Sequence, residues 1–92
     1  MGVPNREIYT KAEWKRLARE LRLPPRQMQI TRHIMRGCGD KQIAEALGIS
    51  VATVRTHLGR LFKRLEVDDR CELILHVVDR MRVLNGRRSA RP

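Results

Sequence analysis

The sharpest constraint in the sequence is a junction: two apolar helical stripes meet across Gly48, Ile49 and Ser50 with no room for a loop. Before it, Ile43, Ala44 and Leu47 recur at helical spacing; after it, Val54, Leu58, Leu61 and Leu65 do the same. Gly48 reaches positive φ without steric cost, so it ends the first of these helices. Ser50 supplies an oxygen to cap the second, and Ile49 and Val54 stand at the two positions of a hydrophobic staple. So short a turn makes the helices cross steeply, with the small Ala44 side chain where they touch. An ordinary helical hairpin with a glycine C-cap is the plainer alternative. The apolar anchors on both sides of the turn favour a helix-turn-helix over residues 40–65.

The remaining chain divides by the same signals. After an unpatterned leader, Thr10 and Glu13 have capping-box spacing, with Tyr9 and Trp14 as the staple. Trp14, Leu17, Ala18 and Leu21 then give one apolar face. Leu23-Pro24-Pro25 ends that helix, because a proline disfavours helix in the residue before it. Pro25 opens a second helix to about Arg36, with Ile30, Thr31 and Ile34 on one stripe and Gly37 as a left-handed cap. Asp40 is expected to cap the third helix over residues 41–47. Asp69 and Glu72 form a last capping box, opening a fifth helix to about Leu84. The expectation is an all-α small helical bundle. It comprises a leader and helix over residues 1–22, a helix-turn-helix domain over 23–84, and a disordered basic tail over 85–92.

Composition narrows the partners. Aromatic residues are only 3%, so the core is aliphatic, and a chain of 92 residues makes one small domain. The formal net charge is +10, which suits a polyphosphate partner through release of condensed counterions. A basic balance alone also fits an anionic membrane or an acidic protein. No apolar run approaches a membrane span, and Met1–Thr10 holds no secretory h-region, so a cytoplasmic protein is expected. Cys38 and Cys71, pooled with His33, His57 and His76, offer no paired metal-ligand spacing. Neither a metal nor another cofactor is expected, and no acid/base or nucleophile constellation suggests an enzyme.

Several separated blocks then carry a resemblance. Leu23-Pro24-Pro25-Arg26-Gln27 comes first, followed by the run from Gly39-Asp40-Lys41-Gln42-Ile43-Ala44 to Leu47-Gly48-Ile49-Ser50. Thr53-Val54-Arg55-Thr56-His57-Leu58, Lys63-Arg64-Leu65 and Asp69-Arg70-Cys71-Glu72-Leu73 follow in order. Together they resemble the LuxR/FixJ (GerE) type effector domain over residues 23 to about 78. The resemblance implies a four-helix, DNA-binding domain of bacterial transcription regulation, here with an extra N-terminal helix. It also implies a recognition helix in the major groove and a last helix that mediates dimerisation. Members usually follow a receiver or ligand-sensing domain, so this chain resembles a stand-alone or excised effector. It departs from the family pattern at Pro24 and Gln27, where Thr or Ser and Glu are usual, and at Thr31 and His33, where leucines are common. Gly59 stands where a long polar or basic side chain is common; it costs about 1 kcal/mol of helix propensity and touches no base edge.

At 100° per residue, the face opposite Val54, Leu58, Leu61 and Leu65 carries Ala52, Thr56, Gly59 and Lys63, bordered by Thr53, Arg60 and Arg55. Arg55 is the candidate for guanine O6 and N7, Thr56 for a thymine methyl. Thr53, Arg60 and Lys63 are candidate phosphate contacts, joined by Lys41 and Gln42 at the start of the preceding helix, whose N-terminus attracts anions. His57 reads as a half-buried structural histidine. On the last helix, Leu73, Ile74, Val77 and Met81 make a core stripe, while Cys71, Leu75 and Val78, with Arg82, make a second one suited to a homodimer. Packing of the first helix over that second stripe is the competing reading.

Two other functions fit parts of the sequence. Leu23-Pro24-Pro25-Arg26-Gln27 is also typical of region 4 of an extracytoplasmic-function sigma factor, whose partner would be RNA polymerase. His57 and the capped helix after Asp69 argue against it. An interaction module that has kept the fold but no longer binds DNA is the third reading, favoured by Gly59.

Overall fold

A computed structural model describes residues 7–89, with side chains described through residue 86. Five helices follow one another without strands among the described residues: α1 (Lys11–Leu21), α2 (Pro25–Met35), α3 (Asp40–Leu47), α4 (Val51–Leu65) and α5 (Arg70–Ser89). Trp14, Leu17, Ile30, Ile43, Leu61, Leu73, Val77 and Met81 fill the centre, nearly or wholly out of solvent. The core is thus aliphatic around one tryptophan.

Local capping chemistry places most helix ends where the sequence puts them. Thr10 Oγ1 accepts from the Glu13 N–H at 3.1 Å, and Glu13 Oε1 accepts from the Thr10 N–H at 2.8 Å. The edge of the Tyr9 ring meets Trp14 with centroids 5.6 Å apart. Thr31, wholly buried, donates its hydroxyl to the Gln27 carbonyl at 2.8 Å, so the departure from leucine leaves no orphaned donor. Gly37 takes φ +87° at the end of α2.

Two boundaries differ from expectation. α3 begins at Asp40, with Gly39 as its N-cap; Gln42 Oε1 accepts from the Gly39 N–H at 2.8 Å. Asp40 does not cap because its carboxylate is drawn to Arg55 and Arg70. α5 continues past Leu84 to Ser89, so residues 85–89 of the expected disordered tail are helical. Leu84 is buried there, and Asn85 is tied to α1: its Oδ1 accepts from Arg16 at 2.8 Å and its Nδ2 donates to Glu13 at 2.9 Å. Residues 90–92 of that tail and residues 1–6 of the leader lie outside the described residues.

α1 packs against α5, with an Arg80–Glu20 ion pair at 3.4 Å as well as the Asn85 contacts. It does not cover the second stripe of α5: Leu75 is 68% and Val78 40% exposed. The competing reading of that stripe is thereby corrected. α1 is spent on the core face instead, where Trp14 and Leu17 are buried in one cluster with Met81 and Leu84.

On α2, burial pushes the His33 imidazole below its ordinary pKa, and Arg36 and Arg32 push the same way against Glu7. The unfolded chain therefore binds this proton more readily than the folded chain does, so stability falls as pH drops through about 6.5 toward the lower folded value. His33→Gln is expected to flatten the decline in melting temperature between about pH 7 and pH 5. Identical melting-temperature profiles for the two proteins would contradict this.

Candidate nucleic-acid interface

The corner between α3 and α4 is built from small and apolar side chains. Val54 is fully buried, and Ala44 and Leu58 are each 6% exposed. Gly48 turns the chain at φ +68°, and the Ile49 N–H donates to the Ala44 carbonyl at 3.0 Å, closing the end of α3. Ser50 Oγ then accepts from the Thr53 N–H at 3.0 Å to start α4. Since Val54, Leu58, Leu61 and Leu65 are turned into the core, helical geometry presents the other side of α4 outward. The bihelical corner is present, and a helix-turn-helix is the class of structure it defines.

Every candidate on that outer side is exposed: Ala52, Thr53, Arg55, Thr56, Gly59, Arg60 and Lys63. Their hydrogen bonds sort them. Thr56 Oγ1 donates to the Ala52 carbonyl at 3.1 Å, and Thr53 Oγ1 accepts from Ser50 Oγ at 2.9 Å. The Arg55 side chain is 70% exposed, yet its Nε donates to Asp40 Oδ2 at 3.2 Å. Lys41 and Gln42 are exposed on the first turn of α3, with Gln42 Oε1 already engaged at Gly39. His57 is half-buried between the core stripe and this face.

The fold brings Gln27 and Arg64 to the candidates Arg60 and Lys63. A groove of about 410 Å³ between the first turn of α2 and α4 is lined by Gln27, Arg60, Lys63 and Arg64. Gln27 is buried with no hydrogen-bond partner for its Oε1 among the described residues. The first turn of α2 has neither an acidic residue nor a side-chain cap, so its positive dipole end is uncompensated beside three cations. The spacing of Arg60 and Arg64, one turn apart on α4, is a signal of this cluster in the sequence. Arg64 also donates to the Arg22 carbonyl at 3.0 Å, tying α4 to the end of α1. Arg70, at the start of α5, donates to the Cys38 carbonyl at 3.2 Å and to Asp40 Oδ1. No spacing rule links residues so far apart in sequence.

Comparison with known proteins agrees with this geometry. Residues 21–77 match the family described as bacterial regulatory proteins, luxR family. The response regulator protein VraR of Staphylococcus aureus (strain NCTC 8325 / PS 47) is 35% identical over 54 residues, covering 59% of this chain and 26% of that protein. The VraR proteins of Staphylococcus saprophyticus and Staphylococcus epidermidis match to the same 35% over 54 residues. This chain therefore spans about a quarter of the curated relatives it matches. No solved structure matches it significantly. The chain belongs to the LuxR family of bacterial regulatory proteins, and its helix-turn-helix is a DNA-binding domain of transcription regulation. Most of α1 and the part of α5 beyond residue 77 lie outside the match. No helix among the described residues is long and apolar enough to cross a membrane.

Proposed function

We propose that the chain reads a specific double-stranded DNA sequence in the cytoplasm, placing α4 in the major groove as one half of a homodimer. The observation that carries this reading is the outward face of α4, cationic and fully open beside a buried corner. The roles follow from chemistry. Arg55 keeps its two Nη groups for guanine O6 and N7, and the Thr56 methyl suits a thymine methyl. Thr53, Arg60 and Lys63 hold phosphates along α4, while Lys41 and Gln42 do so at the start of α3. Cys71, Leu75, Val78 and Arg82 form the dimer surface of α5. None of these roles calls for a cofactor.

The test begins with selection of bound duplexes from a random library by the parent protein. Arg55→Ala is expected to reduce the preference for the selected duplex over a scrambled one by about 5- to 150-fold. Lys63→Ala should weaken both duplexes alike and lower the salt slope of binding by about one. Parent-like binding by both variants would overturn the assignment of this face.

A further inference from the structure

We propose that Asp40 is a specificity-determining residue of this surface, a carboxylate that holds the Arg55 guanidinium by its Nε edge and is itself held by Arg70. The inference rests on the reading of Arg55 as a base contact and adds the group that aims it.

The arrangement is a chain of three charges. Asp40 Oδ2 receives Arg55 Nε at 3.2 Å, and Asp40 Oδ1 receives Arg70 Nη2. Arg70 Nη1 donates to the Cys38 carbonyl at 3.2 Å, so the guanidinium is fixed to the backbone just ahead of α3 as well as to the carboxylate. The Asp40 side chain is 22% exposed, whereas that of Arg55 is 70% exposed. The carboxylate therefore sits behind the arginine rather than in front of it. A guanidinium has five N–H donors in a rigid fork; spending Nε on Asp40 leaves both Nη groups for the two acceptors of guanine.

Arg55 needs such a holder because α4 offers none. One turn on stands Gly59, where even an added Cβ would meet nothing within 4 Å. A long arginine with no neighbour to lean on samples many rotamers and attracts any phosphate in reach. Pairing removes much of that freedom. It also cancels part of the positive charge that draws the helix to DNA of any sequence. Asp40 thus acts in two directions, raising affinity for the correct base and lowering it for random duplex.

That opposition separates aiming from mere support of the fold. Fluorescence anisotropy on the full chain would compare the parent with Asp40→Ala, Asp40→Asn, Arg55→Ala and the Asp40→Ala/Arg55→Ala double variant. The probes are the duplex selected by the parent and a scrambled duplex of equal length. Asp40→Ala is expected to bind the scrambled duplex about twofold or more tighter. Its preference for the selected duplex should fall about fivefold or more. In the Arg55→Ala background, Asp40→Ala should leave the preference unchanged, because the side chain it aims is gone. Asp40→Asn keeps the shape and removes the charge; it carries the same test if the alanine variant does not fold. Undiminished preference in both Asp40 variants, while Arg55→Ala loses it, would overturn the proposal and spare the reading of Arg55. So would an equal loss of preference from Asp40→Ala with and without Arg55. Full preference in Arg55→Ala would instead overturn the reading of Arg55, and the proposal with it.

Discussion

Replacing Trp14 by alanine is expected to destabilise the chain by about 3–5 kcal/mol, a large share of what so small a domain has. Trp14 is 2% exposed and sits where α1 meets the rest of the bundle. Its indole N–H donates to Glu7 at 2.8 Å, the Arg32 guanidinium lies 5.9 Å from its ring, and Tyr9 packs edge-on against it. Truncation removes the apolar volume, leaves Glu7 without its indole partner, and frees Arg32 from the ring face. For a domain of this size the melting temperature should drop by more than about 12 °C. Trp14→Phe keeps most of the volume and loses the hydrogen bond, so a loss nearer 1–2 kcal/mol, about what one such bond contributes, is expected. The comparison is informative because Trp14 precedes the segment that matches the family model. If Trp14→Ala melts like the parent, α1 is an ornament on a domain that begins with α2. If it melts as expected, α1 is part of the folding unit.

The contrast between what could and could not be read in advance has a physical source. Thr10 with Glu13, Ser50 with Thr53, and Gly48 at positive φ are settled by atoms within a few residues of one another. Such local chemistry is legible as spacing. The start of α3 and the end of α5 are not legible in that way, because tertiary partners decide them. Asp40 abandons a capping role for Arg70, which lies thirty residues on, and Asn85 is held by Arg16 and Glu13 from the far end of the chain. No periodicity encodes either meeting. Helix geometry told which side of α4 faces outward, since four buried apolar residues define the opposite side. It did not tell that Arg55 shares a carboxylate with Arg70, nor that Gln27 opens a groove beside Arg60, Lys63 and Arg64. Faces of helices are visible in sequence; the pairing of long charged side chains between helices is not.

The largest functional effect is expected from the open stripe of α5. Leu75 and Val78 are large apolar side chains at 68% and 40% exposure, one helical turn apart, with exposed Cys71 and Arg82 on the same side. The Arg82–Asp79 pair at 4.0 Å lies within α5, and Leu75 and Val78 stay exposed beside it. Burial of this stripe against a second copy would set two α4 helices to read half-sites about 34 Å apart. Linked half-sites gain an effective-concentration advantage of about 10²–10⁴, so the double variant Leu75→Asp/Val78→Asp should lose at least about 100-fold in affinity for a two-half-site duplex. Affinity for a single half-site should hardly change, because neither residue lies on the α4 face. Since both side chains are already exposed, the change in stability should stay within about 0.5 kcal/mol, checked by thermal melting. Sedimentation in the presence of duplex would report whether one or two chains bind. Should the variant bind the two-site duplex as tightly as the parent while melting normally, this stripe is not a dimer surface.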